Sequence, residues 1–350
     1  MPLPEIEPRY APAGGSRWPG VTWPTAPTPA RVGAACDAAF GDVPLTETYA
    51  TVVVQGGRVL AERYGGALPR FDGPPTPVEP ETPLLSWSMA KSMIHALVGQ
   101  LVDEGRLDPW APAPVAEWGP DDPRGGIRLA DLLAMRDGLS WSEVYSVNEP
   151  SHVVDMLFGD GRADMGAYAA ARPVAAAPDT VFNYSSGTTN ILSRIVADHL
   201  GRHDDYRTAM DRRLFAPLGM TSARPGLDEA GVVVGSSYVH ATARDYARFG
   251  LLYLRGGEVD GRSVVSRSWC DTAQVPHSVD PDSDLYYSWQ WWVTGDRYGT
   301  YCALGYEGQM IAVVPALDAV VVRLGRTPEE QAGPALADWR RAVLAALDAG

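Results

Sequence analysis

Lysine is almost absent from this 350-residue chain. Of 29 basic residues one, Lys91, is lysine, and all the others are arginine. Basic charge as a whole is scarce, since 43 acidic residues leave a net charge of −14. Such a surface repels phosphate backbones and anionic lipid, which argues against a nucleic-acid or membrane-surface role. Cysteine is scarce too. Cys36, Cys270 and Cys302 are odd in number and scattered, forming neither a disulfide framework nor a zinc pattern. No apolar run approaches the roughly 20 residues of a membrane span. The opening MPLPEIEPRYAPAGG has acids and prolines where a signal peptide has a basic and then an apolar region, so a cytoplasmic location is expected. Neither H-E-x-x-H nor G-x-S-x-G occurs, which weighs against a zinc peptidase and an α/β-hydrolase.

What is present starts from that single lysine. Lys91 follows Ser88 by three residues in LLSWSMAKSMIHALVGQLVDEG. Arginine does not give up its proton in a protein, whereas lysine shifts its pKa readily when buried. A position that refuses arginine therefore suggests a neutral amine. Met89, Met93, Ile94, Leu97, Val98, Leu101 and Val102 recur at helical spacing. Their stripe is wide enough to predict a buried helix, with Gly105 as its C-terminal cap. Ser88 and Lys91, at i and i+3, share one face of its first turn. Burial and the positive helix N-terminus both disfavour an ammonium there. Lys91 is then placed to activate Ser88 Oγ as a nucleophile. On this stretch alone, a capping serine followed by a surface lysine fits equally well.

The rest of the chain divides by pattern. At 45% hydrophobic residues it can build a sizeable core. Residues 1 to about 33 are rich in Pro and Gly and predict irregular chain draped on the surface. A helix is expected near Ala30–Phe40. YATVVVQGGRVLAERY, residues 49–64, reads as a hairpin across a Gly-Gly turn. Short helices are expected over 127–135, 153–158 and 165–171, and longer ones over 188–200 and 206–215. Thr242 opens another helix to Arg255, with Asp245 in capping-box position. Strands are expected over 288–293, 299–304, 310–314 and 319–324, before a last helix over 328–347. The expected fold is α/β in the α+β sense. An antiparallel sheet flanked by N- and C-terminal helices, built from 1–84 and 235–350, would carry an inserted helical domain over 85–234, with the active site at their interface.

A second motif, Tyr184-x-Ser186 in VFNYSSGTTN, stands just before a predicted helix. With S-x-x-K upstream, the chain resembles the serine β-lactamase-like, penicillin-binding-protein-like superfamily in its class C branch. That branch includes family VIII carboxylesterases, D-aminopeptidases and aminohexanoate-oligomer (nylon-oligomer) hydrolases. LLAMRDGLSW, FAPLGM and GSSYVHATARDYARFGLLYLRGG look like the same family, so the resemblance runs over roughly residues 50–326 in the expected order. It implies an acylated Ser88, Lys91 as its general base and Tyr184 as proton shuttle to the leaving group. Ser186 stands where many relatives have Asn, and is the expected substrate contact there. Where relatives place K-T-G or H-T-G, this chain has Thr300, Tyr301 and Cys302, with no cation to clamp a substrate carboxylate. The oxyanion hole is expected from the amides of Ser88 and Ala303, the second to within one residue. Ala303, Gly305, Gly308 and Gln309 make an A-x-G-x-x-G-Q pattern most like the esterase and nylon-oligomer side of the superfamily. Tyr145 falls where those hydrolases place a substrate-contacting tyrosine, though packing would explain it as well. Trp289 and Trp291 alternate along a predicted strand, as core residues or as the wall of an apolar cleft, with Trp292 opposite.

Three functions follow in order of support. The first is a serine hydrolase of carboxylic esters or amides. The second is a β-lactamase or D-alanyl-D-alanine peptidase, disfavoured by the missing cation and the missing export signal. The third is an inactive member that binds a ligand, disfavoured by the intact Ser88, Lys91 and Tyr184. The expected partner is a small ester or amide, with no nucleic acid and no membrane. No cofactor and no metal is implied, and homodimer formation is left open.

Overall fold

The computed structural model describes residues 3–11, 18–41, 43–70, 72–145 and 149–349. Residues 1–2 and 12–17 of the expected N-terminal drape lie outside them. The hairpin at 49–64 seeds the main sheet. β1 (Glu47–Gln55) and β2 (Arg58–Tyr64) pair antiparallel, and Gly56 and Gly57 take φ of 58° and 71° between them. Two consecutive positive φ values make the tight hairpin turn that glycine serves best. β1 also pairs with a strand from the other end of the chain, β8 (Ala319–Arg326), in the register Val52↔Val322. Between these lie β3 (Ser278–Val279), β4 (Tyr286–Tyr287), β5 (Trp292–Val293), β6 (Tyr301–Gly305) and β7 (Gln309–Val314). The eight strands run in the order β3-β4-β5-β6-β7-β8-β1-β2, and neighbours are antiparallel.

The central strands are apolar on both faces because both faces are covered. Val53, Ala312, Val314 and Val321 pack under α1 (Ala30–Asp37) and α5 (Glu329–Asp348), the terminal helices, together with Val32, Cys36, Trp339 and Val343. Val52, Val54, Ile311, Val313, Val320 and Val322 face the larger core with α2 (Ala90–Asp103) and α4 (Ala243–Leu254). The sidedness follows from the two-residue period of a strand. On α4, Thr242 Oγ1 accepts from Asp245 N as a cap. The reciprocal half of the expected capping box is absent, because the Asp245 carboxylate accepts instead from Ser222 N and Oγ.

Helix α2 is the axis of the molecule. Every residue from Ala90 to Leu101 is buried, and Gly105 ends it at φ 68°. It packs against α3 (Ser186–Leu200), and a single 3-10 turn, Trp87–Met89, leads into it beside β6. Trp87 holds a φ of 45°, which a bulky L-residue adopts only when its surroundings dictate it. They do so here: Ser86 N donates to Val239 O, and Ser86 Oγ donates to Ser237 O. The nucleophile candidate thus follows a strained, pinned residue. The expected strand over 288–293 shrinks to Trp292–Val293. Gln290 at φ 57° turns the chain, and its side chain bonds Thr189 and the carbonyls of Leu132 and Leu133. A buried polar anchor outweighs the β propensity of three tryptophans there.

Candidate active site

Lys91 is 2% exposed, at the start of α2. Its Nζ lies 2.9 Å from Ser88 Oγ, 3.0 Å from Ser186 Oγ and 3.2 Å from the Ser236 carbonyl. The three come from α2's leading turn, the first residue of α3 and the loop ahead of Tyr238. No carboxylate touches it directly among the described residues. Burial pulls its pKa from 10.5 to about 8, against a smaller upward pull from Glu143. An amine that is partly neutral near physiological pH, at hydrogen-bond distance from a serine, has the geometry of a general base.

Tyr184 approaches the same lysine from the segment before α3, with Nζ 4.9 Å from its ring centroid. Burial raises its phenol far above the usual value, with a smaller upward push from Glu143, while Ser88 and Trp292 pull it down. Tyr184 therefore stays a phenol and can pass a proton on. Its position is set by α3, which Ser185 caps by accepting from Thr188 N, and by Thr188 Oγ1 donating to the buried Asp137. Burial lifts Asp137 to about 6.

An open cleft of about 430 Å³ begins at Ser88 and Tyr184. Trp292, Leu285, Leu304 and Leu336 supply its apolar wall. Glu143, Asp280, Asp282, Glu307 and Glu329 also line it, and no basic side chain does so among the described residues. Burial raises the Glu329 carboxyl, and its neighbours Glu330 and Glu143 push in the same direction. The far lip, Tyr306–Gly308, is held by Arg323. Its guanidinium is wholly buried and donates to the carbonyls of Glu307 and Gly308, and to Leu45 O. Among the described residues no His, Cys, Asp and Glu group is arranged to hold a metal ion.

Of the residues singled out from sequence, Ser88, Lys91, Tyr184 and Tyr145 come together here. Tyr145 stacks on Tyr306 with centroids 4.5 Å apart and donates to Glu143 Oε1. Ser186 is close by but sits behind Lys91, fully enclosed and outside the cleft lining, because its hydroxyl is taken by Lys91 and Glu143. Ala303 is 1% exposed, and its peptide faces β7 in the pair Ala303↔Ile311. The lining begins one residue later, at Leu304. Trp289 and Trp291 are core: Trp291 stacks on Phe249, and Trp289 tilts against Trp269. Trp292, on the opposite face, is the tryptophan in the cleft. Glu143 also belongs to the site, and no motif in the sequence marks it. Its only signal is its place two residues before Tyr145 in SWSEVY.

Residues 43–346 match the family model described as Beta-lactamase. The chain belongs to that family. This β-lactamase-family serine hydrolase is 29% identical to the 6-aminohexanoate-dimer hydrolase of Paenarthrobacter ureafaciens over 311 residues, 81% of this chain and 74% of that one. Among solved structures, a Bacillus anthracis protein assigned as a 6-aminohexanoate-dimer hydrolase superposes with a TM-score of 0.78 at 23% identity, covering 97% of this chain and 90% of the other. The D-amino acid amidase of Ochrobactrum anthropi gives a TM-score of 0.67 at 18% identity, covering 91% and 97%. Both structures share the fold. An α+β architecture with a large antiparallel sheet and terminal helices is the fold expected from sequence.

Proposed function

We propose that this family member cleaves small amides and esters through an acyl-enzyme on Ser88. The observation that carries the reading is the 2.9 Å contact between Ser88 Oγ and the buried Lys91 amine. The Ser88 proton moves to Lys91 Nζ as Oγ bonds to the substrate carbonyl carbon. The oxyanion is received by the Ser88 amide, a first-turn donor without an intrahelical partner. Its second donor is the Leu304 amide. Thr294 N–H donates to Thr300 O, so the even-numbered peptides of β6 face the β5 side. β5 pairs no further than Trp292 with Cys302, which leaves Leu304 uncovered at the cleft. Tyr184 gives its proton to the leaving nitrogen or oxygen as the bond breaks, and recovers one from Lys91. Water then attacks the acyl carbon with Lys91 as base again, the bond from that carbon to Ser88 Oγ breaks, and Lys91 returns the proton to Oγ, so one water is consumed per bond cleaved. The cleft is taken as the junction of the unit 1–84 plus 235–350 with the unit 85–234.

The lining carboxylates support a substrate that is neutral or carries an ammonium group, as the names of the aminohexanoate and amino acid amide relatives would suggest. Thr300, Tyr301 and Cys302 offer no cation, which disfavours β-lactams and other carboxylate-bearing acyl donors. Trapping with a slow nitrophenyl ester, followed by intact-mass and peptide mapping, should place one acyl group on Ser88. Ser88→Ala should remove both adduct and turnover. An adduct on Ser92 or Ser186 would overturn the assignment.

A further inference from the structure

We infer that Glu143 is a positioning residue that aims the lone pair of Lys91 at Ser88 by fixing the direction of the Ser186 hydroxyl. The inference rests on the reading of Lys91 as the base. Glu143 grips Ser186 twice, with Ser186 N–H donating to Oε2 at 2.9 Å and Ser186 Oγ donating to Oε1 at 2.5 Å. Trp141 Nε1 donates to Oε2 and Tyr145 OH to Oε1, so four donors hold this carboxylate still. A hydroxyl has a single proton. With that proton on Glu143, Ser186 Oγ can only accept from Lys91. The Ser236 carbonyl, at 3.2 Å, can only accept as well. A neutral amine has two N–H bonds, and these two acceptors take both. Its lone pair is left facing the third neighbour, Ser88 Oγ.

Among the described residues the same carboxylate is the one charge that bears on Lys91, across the width of one hydroxyl. When Lys91 takes the Ser88 proton, Glu143 stabilises the ammonium without contacting it. Direct contact would hold lysine permanently charged. Among the described residues, the other titratable groups around the site are the Tyr184 phenol on the α3 side, the Tyr145 phenol beside Glu143 with Tyr306 stacked on it, Asp280, Asp282 and Glu307 along the cleft, and Glu329 on α5. Burial raises both phenols.

Glu143→Gln tests the idea, because it keeps the shape and reverses part of the pattern. Its amide would turn its oxygen to the Ser186 and Trp141 N–H groups and its NH2 to the Ser186 hydroxyl, which would then accept from it and free its own proton to point at Lys91, and the carboxylate charge is gone. kcat/KM for a nitrophenyl ester should fall about 10- to 100-fold, the scale of a misaimed catalytic group. The acid limb of its pH profile should move to lower pH, since the upward pull on Lys91 is lost. Glu143→Asp keeps the charge but shortens the reach, so its limb should stay near wild type while its rate falls. Ser186→Ala should also lose rate, with a smaller limb shift than Glu143→Gln. Rates within twofold of wild type in both Glu143→Gln and Ser186→Ala would overturn the inference, as would an unmoved limb in Glu143→Gln. The reading of Lys91 itself fails separately, through Lys91→Arg remaining active.

Discussion

Replacing Lys91 by arginine asks whether the site needs a charge or a titratable amine. With its pKa near 8, Lys91 is neutral in roughly a tenth of molecules at pH 7. A lysine at the free value of about 10.4 would be neutral in about one molecule in 2,500, so burial supplies ~200-fold more of the competent form. Arginine, with a pKa above about 12, supplies almost none. Losing a general base costs about 10²–10⁴ in rate, and the guanidinium must also fit where Ser88, Ser186 and Ser236 now converge. Lys91→Arg is therefore expected to lose at least two orders of magnitude in kcat/KM. The wild-type profile is the companion measurement. Below its midpoint kcat/KM should rise tenfold per pH unit, and the midpoint should lie near 8 in the free enzyme. The sign is fixed by the direction of the shift: the active form is the deprotonated one, so activity falls as pH drops through that value. Nitrophenyl butyrate hydrolysis between pH 6 and 10, with circular dichroism as a check on folding, reads both. An arginine variant that retains a tenth or more of wild-type kcat/KM, or an acid limb lying below pH 6, would refute the reasoning.

Substrate charge and core packing give three more tests. In matched pairs of esters or amides differing by a terminal ammonium or carboxylate, the ammonium form should have the higher kcat/KM at low salt. Benzylpenicillin should be slower than nitrophenyl butyrate, and the reverse order would return the chain to the β-lactam side of its family. Separately, a Cβ on Gly99 would lie 2.2 Å from Trp269 Cδ1, so Gly99→Ala should lower Tm. The overpacking cost of about 1–3 kcal/mol opposes a helix-propensity gain of at most about 1 kcal/mol, and an unchanged or higher Tm would contradict that packing.

Much of the molecule is legible in its sequence, for identifiable reasons. α2 announces itself through a long apolar period ended by Gly105, and the β1–β2 hairpin through a β-branched run broken by Gly56 and Gly57. Both are local signals. The S-x-x-K pair is legible because one turn of helix brings Ser88 and Lys91 together whatever surrounds them. What escaped is non-local. Glu143 matters only because a loop lays it against the first residue of α3, 43 positions away. Ser186 looks like a cleft residue until that contact turns its hydroxyl inward. The tryptophans misled because Gln290 finds partners at Thr189, Leu132 and Leu133, which no periodicity around 289–292 reveals. Which of Ala303 and Leu304 turns its amide to the cleft depends on strand pairing, so the sequence leaves that donor open to within one residue.

A chain whose single ε-amine is sealed inside has an outer surface without lysine among its described residues. Amine-directed chemistry therefore finds no side chain there to label. Activated esters and aldehydes, which ordinarily couple a protein to a bead or to its neighbour at many lysines, should find no lysine on this surface to couple through. Lysines introduced one at a time would then serve as unique handles, each setting the orientation of an immobilised enzyme without competition from a natural one. Conversely, reagent that does reach Lys91 reports that the interior has opened, so the slow appearance of modified Lys91 in peptide maps would be a clock for the breathing of this fold.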